Sequence, residues 1–418
     1  EKFMRVFVSA GEPSGDHHAA LLVRAIKLQK PETECVGLGG PSMAAEGCNL
    51  IAEMTQLAVM WFARALANVH HFVELARRAE RSFLDNRPDV CVLVDFPGFH
   101  WWLAWRAKRH GIPVVFYCPP QIWAWASWRK KKMRRLIDHV LSVLPFEHEW
   151  FIEQGISSTL VGHPFFDELK PNEHSTYESS EQPFVVLLPG SRRQEIDANF
   201  ESIVKAASIV KSKIPEAQFI VGALHTRHAV YIQQKMARIM DEIDSLDLVV
   251  EAGRTRHLIT KAHAAIAVSG SVSLELLMAR VPTVIVYRIS GIAYVVQSWF
   301  RHARFITLVN LLACRKPVGP VRPVLKPDFG VPEVDPEMAF PEYLVVGDPA
   351  KQLADHIIRW LSVPSLRKKI VQNLDAIADT VAHPGSAERA ATAVIAIAGG
   401  RSPERALGQW LDQRTQAA

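Results

Sequence analysis

The sequence predicts an α/β protein of two Rossmann-like domains facing a central cleft. Three observations carry this prediction. Short apolar runs alternate with amphipathic stretches, a polar segment divides the series in two, and Gly- or Pro-bearing turns follow the apolar runs directly. At 418 residues the chain has length for two or three domains, each able to bury its own core.

The first series opens with MRVFVSA, the turn GEPSGD and the amphipathic HHAALLVRAIKLQ. ECVGLGG with PSMAAEG, DVCVLVDF, IPVVFYC, HVLSVLPF and STLVGHP continue it, and the first domain spans residues 1–168. LKPNEHSTYESSEQP (169–183) has almost no apolar content and a proline near each end, which reads as a linker or surface loop. FVVLLPG then starts a second series that runs through AQFIVGA, LDLVVEA, AAIAVSG and PTVIVYR, giving a second domain over 183–364. The stretch 315–343 is too rich in proline for a helix or a central strand, so it is a rigid surface excursion or a loop over the cleft. From about Asp348 the pattern is helical to the end.

Composition excludes several classes. An apolar fraction of 49% with 22% charged residues is that of a globular protein, and a net charge of +5 over this length gives no reason to expect nucleic acid. No apolar run reaches the roughly 18–20 residues needed to span a bilayer. Arg5, at the start of the first strand, argues against a secretory leader. Five scattered cysteines (35, 48, 91, 118, 314) read as reduced thiols in the cytoplasm, with no metal site and no cofactor implied. Six of the eleven tryptophans lie between Trp101 and Trp128, which raises the question of an amphipathic surface.

Ligands of doubly wound sheets bind at the carboxyl ends of the strands, so the turns after the apolar runs are the places to look. In LLPGSRRQEI, Gly190 and Ser191 admit close approach of a ligand, and Arg192 offers a phosphate two parallel bonds. An ordinary turn with a solvated arginine has the same appearance. In SGSVSLE, Ser269, Gly270, Ser271 and Ser273 are small enough to admit a diphosphate, and Glu275 can accept bonds from ribose hydroxyls. Equally, Ser271 can cap the helix and Glu275 can favour its first turn. Two such turns in one half point to a nucleoside diphosphate. In the first half, Asp95 ends an apolar strand, where a carboxylate serves as general base or merely as a capping group.

CPPQIWAWASWRKKKMRRLID joins Trp123 and its neighbours to six cations that include Arg129; it reads as an anionic-surface contact or as a basic helix over core tryptophans. Val59, Met60, Trp61 and Phe62 read as core or as a greasy entrance for acyl chains. His163 reads as structural.

GEPSGD, GGPSMAAEG, DFPGF, WAWASWRKKK, LPFE, VGHPFFD, LLPGSRRQEI, SGSVSLE and VNLLA occur in this order across residues 11–313. The set resembles the lipid-A-disaccharide synthase family, glycosyltransferases of the two-Rossmann GT-B type. The resemblance implies a metal-independent, inverting transfer from UDP-2,3-diacylglucosamine to 2,3-diacylglucosamine 1-phosphate, giving UDP and the β-1,6-linked disaccharide phosphate of lipid A. It implies a cytoplasmic enzyme held peripherally on the inner face of the inner membrane, and the sequence leaves a homodimer open. It makes Asp95 the base and has Arg192 stabilise the leaving UDP. Glu275 would hold the ribose, and Asn310 would contact the donor. Glu12 joins Asp95 and Arg192 as a catalytic residue, in a loop whose Ser14 and Gly15 fall on the acceptor side, with Met60, Trp61, Phe62, Trp123 and Arg129 toward lipid. C-terminal helices from about 365 to 418 would pack back on the first, membrane-facing domain, leaving the second to bind UDP-sugar.

Gly98 and His100 stand where the family usually has aspartate and asparagine, Val345 where it commonly has glutamine, and 315–340 looks inserted. The competing readings are another GT-B UDP-sugar enzyme, either a transferase or a 2-epimerase, and an inactive membrane-associated scaffold.

Overall fold

The computed structural model describes residues 3–55, 69–168, 182–239, 246–319, 321 and 323–417. The chain forms two compact units, one of Glu1–Leu169 with His383–Ala418 and one of Lys170–Ala382.

In the first unit, β1 (Arg5–Ala10), β2 (Glu34–Gly39), β3 (Asn49–Glu53), β4 (Val90–Val94), β5 (Val114–Tyr117), β6 (His139–Ser142) and β7 (Ser158–Leu160) make one sheet. Its order is β3-β2-β1-β4-β5-β6-β7, and every pairing is parallel. Parallel neighbours need crossovers, whose helices cover both faces, so the strands are apolar throughout rather than alternating. All six residues of β1 are buried. Val6, Val8 and Ala10 face the helices Pro13–Gln29 and Ser386–Ala398. Phe7 faces the opposite core, where its ring meets Phe83 edge-on at 4.9 Å.

The C-terminal segment returns to this unit as the helix Ser386–Ala398, SAERAATAVIAIA. Its alanines let it lie close to Pro13–Gln29 in the core that holds Ala19, Val23, Ala390 and Val394. Its start is held by the VGHPFFD segment. The Asp167 carboxylate accepts backbone N–H bonds from Gly385, Ser386 and Ala387 at 2.7–2.8 Å, satisfying donors that a helix start leaves open. Ser386 Oγ donates to the Gly162 carbonyl at 2.6 Å, and Arg389 Nε to that of Val161 at 2.7 Å.

The second unit repeats the plan with six parallel strands: β8 (Phe184–Leu188), β9 (Gln218–Ala223), β10 (Leu248–Ala252), β11 (Ala264–Val268), β12 (Thr283–Arg288) and β13 (Glu342–Val345). Their order is β10-β9-β8-β11-β12-β13. Phe200, Ile203 and Val204 of the helix Arg193–Lys213 and Leu353, Ile357 and Trp360 of Ala350–Ser362 share one core against it. The helix Pro364–Val381 stays with this unit, where Asp375 pairs with Arg280 at 2.8 Å and Arg367 donates to the His263 carbonyl at 3.2 Å. The return therefore begins at His383 rather than near residue 365. The described residues of the proline-rich stretch form neither helix nor sheet strand until β13 begins at Glu342, and they lie as a strap along the helix Gly291–Phe300. Gly319 N–H donates to the His302 carbonyl at 2.8 Å and Val324 N–H to Ser298 Oγ at 2.9 Å.

Replacing Asp167 with alanine leaves three helix-start N–H groups without their acceptor. The expected loss is about 1–2 kcal/mol of stability in urea unfolding. Proteolytic release of the segment after His383 should quicken, with the second unit left intact.

Candidate active site

Each sheet has one point at which successive connections leave in opposite directions: between β1 and β4 in the first unit, and between β8 and β11 in the second. The turns after these four strands are GEPSGD, DFPGF, PGSRR and SGSVSLE, so four of the motifs singled out from sequence sit at the two switch points.

In the first unit the two turns are packed into one another. A methyl group on Gly11 would fall 2.3 Å from the Phe96 ring, and one on Gly15 would lie 3.6 Å from Asp95 Cβ. Gly11 is thus obligatory for the approach of Phe96, and Gly15 places the opening turn beside the candidate base. Ser14 is exposed, Glu12 is half-buried, and the Glu12 carbonyl accepts the Asp16 N–H at 2.8 Å. The buried Asp16 carboxylate accepts N–H bonds from Gly40, Ser42 and Met43 at 2.7–3.3 Å. It therefore ties GEPSGD to GGPSM and leaves chemistry to its neighbours.

Asp95 and Phe96 both lie in the left-handed region, with φ of 54° and 48°. Two such residues in a row, neither a glycine, are costly and persist only where the surroundings hold them. His100 is what holds them. Its ring is fully buried, with Nδ1 2.5 Å from the Asp95 carbonyl and Nε2 2.9 Å from Ser9 Oγ. Burial lowers its pKa to about 4, so the ring is neutral, donating from Nδ1 to the carbonyl and accepting the Ser9 hydroxyl at Nε2. Burial also pushes the Asp95 carboxyl above the usual carboxylate range, against the opposing effect of the Phe96 N–H. Gly98, by contrast, has open space around it. His100 is noticeable in sequence only as a departure from the family pattern; its pinning role comes from the packing of β1 against β4.

The buried Glu147 is a further partner that the sequence does not mark. It accepts Trp123 Nε1 at 3.0 Å and Val143 N–H at 3.2 Å, and burial raises its pKa to about 7. Trp123 is fully buried, so it belongs to the core and does not face lipid. Arg129 is half-buried at the head of the helix Lys130–Leu136. Met60, Trp61 and Phe62 lie outside the described residues. His163 is structural, accepting Phe165 N–H at 3.2 Å.

In the second unit the PGSR turn already holds a carboxylate. Glu195 Oε2 accepts Ser191 N–H at 2.9 Å and Arg192 N–H at 3.1 Å, while Oε1 lies 3.1 Å from the Arg192 guanidinium. Gly190, at φ 115°, is required by this arrangement, since a methyl group there would meet Glu195 Cβ at 2.6 Å. The Arg192 side chain is 77% exposed. Across the switch point, Ser269 Oγ donates to the Ile306 carbonyl at 3.3 Å, Gly270 and Ser271 are exposed, and Glu275 is half-buried in the short helix Val272–Met278. Ser273 and Asn310 correct the expectation from sequence. Ser273 is fully buried and spends its hydroxyl on the Gly270 carbonyl at 2.8 Å. Asn310 is fully buried: Nδ2 donates to the Phe340 carbonyl and Glu342 Oε2, and Oδ1 accepts Phe340 N–H, all at 2.8–2.9 Å. Both are fully buried and bonded within the loop, so they hold its shape and do not face a ligand. Val345 is likewise core. Beside PGSR in strand order, the ends of β9 and β10 frame a cavity of about 600 Å³ with His225, Thr226 and Arg227 on its wall, a feature with no signature in the sequence.

Two doubly wound units of this kind place the chain in the GT-B structural class. MurG from Acinetobacter baumannii matches with a TM-score of 0.53 at 12% identity, covering 94% of this chain and 99% of that one. A UDP-GlcNAc 2-epimerase from Neisseria meningitidis matches with a TM-score of 0.54 at 10% identity, covering 92% and 98%. The family model described as lipid-A-disaccharide synthetase matches residues 6–320. The lipid-A-disaccharide synthase of Myxococcus xanthus is 30% identical over 94% of this chain and 97% of its own length. That of Methylobacillus flagellatus is 32% identical over 74% of this chain and 82% of its own. The chain belongs to the lipid-A-disaccharide synthase family of glycosyltransferases.

The buried, neutral His100 makes stability acid-sensitive. Its pKa of about 4 in the fold lies below the 6.5 of the free side chain, so the unfolded chain binds more protons between those values and stability falls as pH drops through them. His100→Asn should reduce that slope by up to about 1.4 kcal/mol per pH unit, read from urea unfolding at several pH values.

Proposed function

We propose that Asp95 is the general base of an inverting transfer from UDP-2,3-diacylglucosamine to 2,3-diacylglucosamine 1-phosphate. The observation that carries this reading is the strained turn at Asp95, packed against GEPSGD and pinned by His100 and Ser9. Strain of this kind concentrates where a side chain must be presented in one orientation. The carboxylate takes the proton of the acceptor's 6-hydroxyl as that oxygen bonds to the donor's anomeric carbon. The bond from that carbon to the diphosphate oxygen breaks, and its electron pair leaves with UDP. Attack from the opposite face inverts the configuration, and the product is the β-1,6-linked lipid A disaccharide phosphate.

The second unit holds the donor. Arg192 turns from Glu195 to the diphosphate, where charge develops, and the Ser269–Ser271 backbone supports the same groups. Glu275 accepts the ribose hydroxyls. Glu12, Ser14 and Gly15 meet the acceptor sugar, which the packing of Gly15 beside Asp95 supports. The substrates are lipids, and no helix among the described residues is long and apolar enough to cross a membrane. The enzyme works peripherally at the inner face of the inner membrane, with half-exposed Trp125, Trp128 and the basic helix toward the lipid.

The test is turnover with both defined acylated substrates, with disaccharide and UDP followed by mass spectrometry. No disaccharide at any acyl length would overturn the reading. Asp95→Asn should lower kcat by about 10²–10⁴-fold. Because Asp95 must be ionised, and burial raises its pKa, kcat/KM should fall on acidification at a pH above that of an ordinary carboxylate. Arg192→Lys, which keeps charge but not the paired geometry, should cost about tenfold or more in kcat/KM.

A further inference from the structure

The helix Gly291–Phe300 is built inside out. Its apolar residues Ile292, Val296 and Trp299 are 51–80% exposed, whereas Ser298 is buried and Gln297 half-buried. Tyr294, Gln297, Ser298 and Arg301, the residue that caps the helix, follow the i, i+3, i+4, i+7 spacing of a single face, and that polar face is the one turned into the second unit.

Ser298 is satisfied there, since Oγ donates to the Val295 carbonyl at 2.7 Å and accepts Val324 N–H at 2.9 Å. Gln297 and Arg301 are not. Gln297 Oε1 and Arg301 Nε are shut off from solvent with no hydrogen-bond partner among the described residues. Arg301 also forms no ion pair with a carboxylate among them. Burial lowers its pKa, against the opposing charge of Glu342. The oxygens of Glu342 are already engaged: Oε1 accepts Ile306 N–H at 2.8 Å, and Oε2 accepts Thr307 N–H and Asn310 Nδ2 at 2.9 Å. A guanidinium drawn partly out of water without an anion bonded to it is costly, and an anion carried by a ligand removes that cost.

Ile306 links this group to the turn after β11. Glu342 holds the N–H of Ile306, and the carbonyl of the same residue accepts Ser269 Oγ at 3.3 Å. Strand order supplies the direction of approach. β11 lies between β8 and β12; Arg192 follows β8, and Arg301 follows β12 by way of the inside-out helix.

We propose that Arg301 is a donor-binding residue whose guanidinium closes on the diphosphate of the UDP-sugar at the Ser269–Ser271 turn, opposite Arg192. The proposal rests on the reading that this turn holds the diphosphate, and it names a second cation for that site. Two guanidinium groups balance the two charges of the bound diphosphate. They also stand beside the further charge that develops on the phosphate oxygen as UDP leaves.

The experiment is calorimetric titration of the full chain with UDP and with uridine, which lacks the phosphates. Arg301→Gln should bind UDP at least about tenfold more weakly, because a charged hydrogen bond is lost, and bind uridine as wild type does. Arg301→Lys keeps the charge without the paired geometry; it should recover part of the loss, and it guards against a folding defect in the neutral variant. In turnover, Arg301→Gln should raise KM for the donor and leave KM for the acceptor unchanged. UDP affinity equal to wild type in Arg301→Gln overturns the proposal. So does an equal loss of UDP and uridine in both variants, the mark of a residue that only holds the Ile306 segment in shape. A wild-type chain that binds UDP no better than uridine overturns the reading of the donor turn, and this proposal with it. One that prefers UDP yet forms no disaccharide overturns the transferase reading alone and leaves the variants to decide this one.

Discussion

The constraint on which everything else rests is that parallel strands cannot be joined by tight turns. Each strand must be followed by a crossover that returns the chain to the same starting edge, so all carboxyl ends of a sheet share one edge. Where the crossovers change face, the helices part and the turns of two strands are left beside each other. Both units meet that condition once, at β1/β4 and at β8/β11. The motif turns come from distant parts of the sequence, yet this one topological fact brings Gly15 against Asp95.

The second theme is that carboxylates do much of the work of holding these turns. Asp16 accepts three backbone N–H groups of the GGPSM turn, and Asp167 accepts three at the head of the returning helix. Glu195 spans the PGSR turn, and the buried Glu342 takes the N–H groups of Ile306 and Thr307 and the amide of Asn310. Where the donor is buried, as around Asp16 and Glu342, leaving it unpaired costs about 1–3 kcal/mol. Much of what marks the family in sequence is therefore architecture, and the chemistry falls to the few polar groups these clamps leave over.

That division explains what was legible in advance. The strands were, because both faces of a parallel sheet are covered and the apolar runs are unbroken. The turns were, because glycine and proline punctuate them. Partner identity was not. Asn310 and Ser273 are polar residues in motif positions, but only the fold shows that Phe340, Glu342 and the Gly270 carbonyl consume them. Trp123 sits in a basic, aromatic stretch, and only the fold shows Glu147 beneath it. The helix Pro364–Val381 is amphipathic, a pattern that reports the presence of an apolar stripe without naming the core that receives it.

The first unit is discontinuous, and this has a consequence for synthesis. The slot for Ser386–Ala398 is framed by Ala19, Val23 and Ile26, which are made before the whole second unit, whereas its occupant leaves the ribosome after that unit. The second unit, an unbroken stretch of chain, can finish folding first. Until that segment emerges, one side of the earlier sheet keeps an uncovered apolar seam. The nascent chain must carry that seam through synthesis of the whole second unit, which makes His383–Ala418 the closing step for a sheet made long before it.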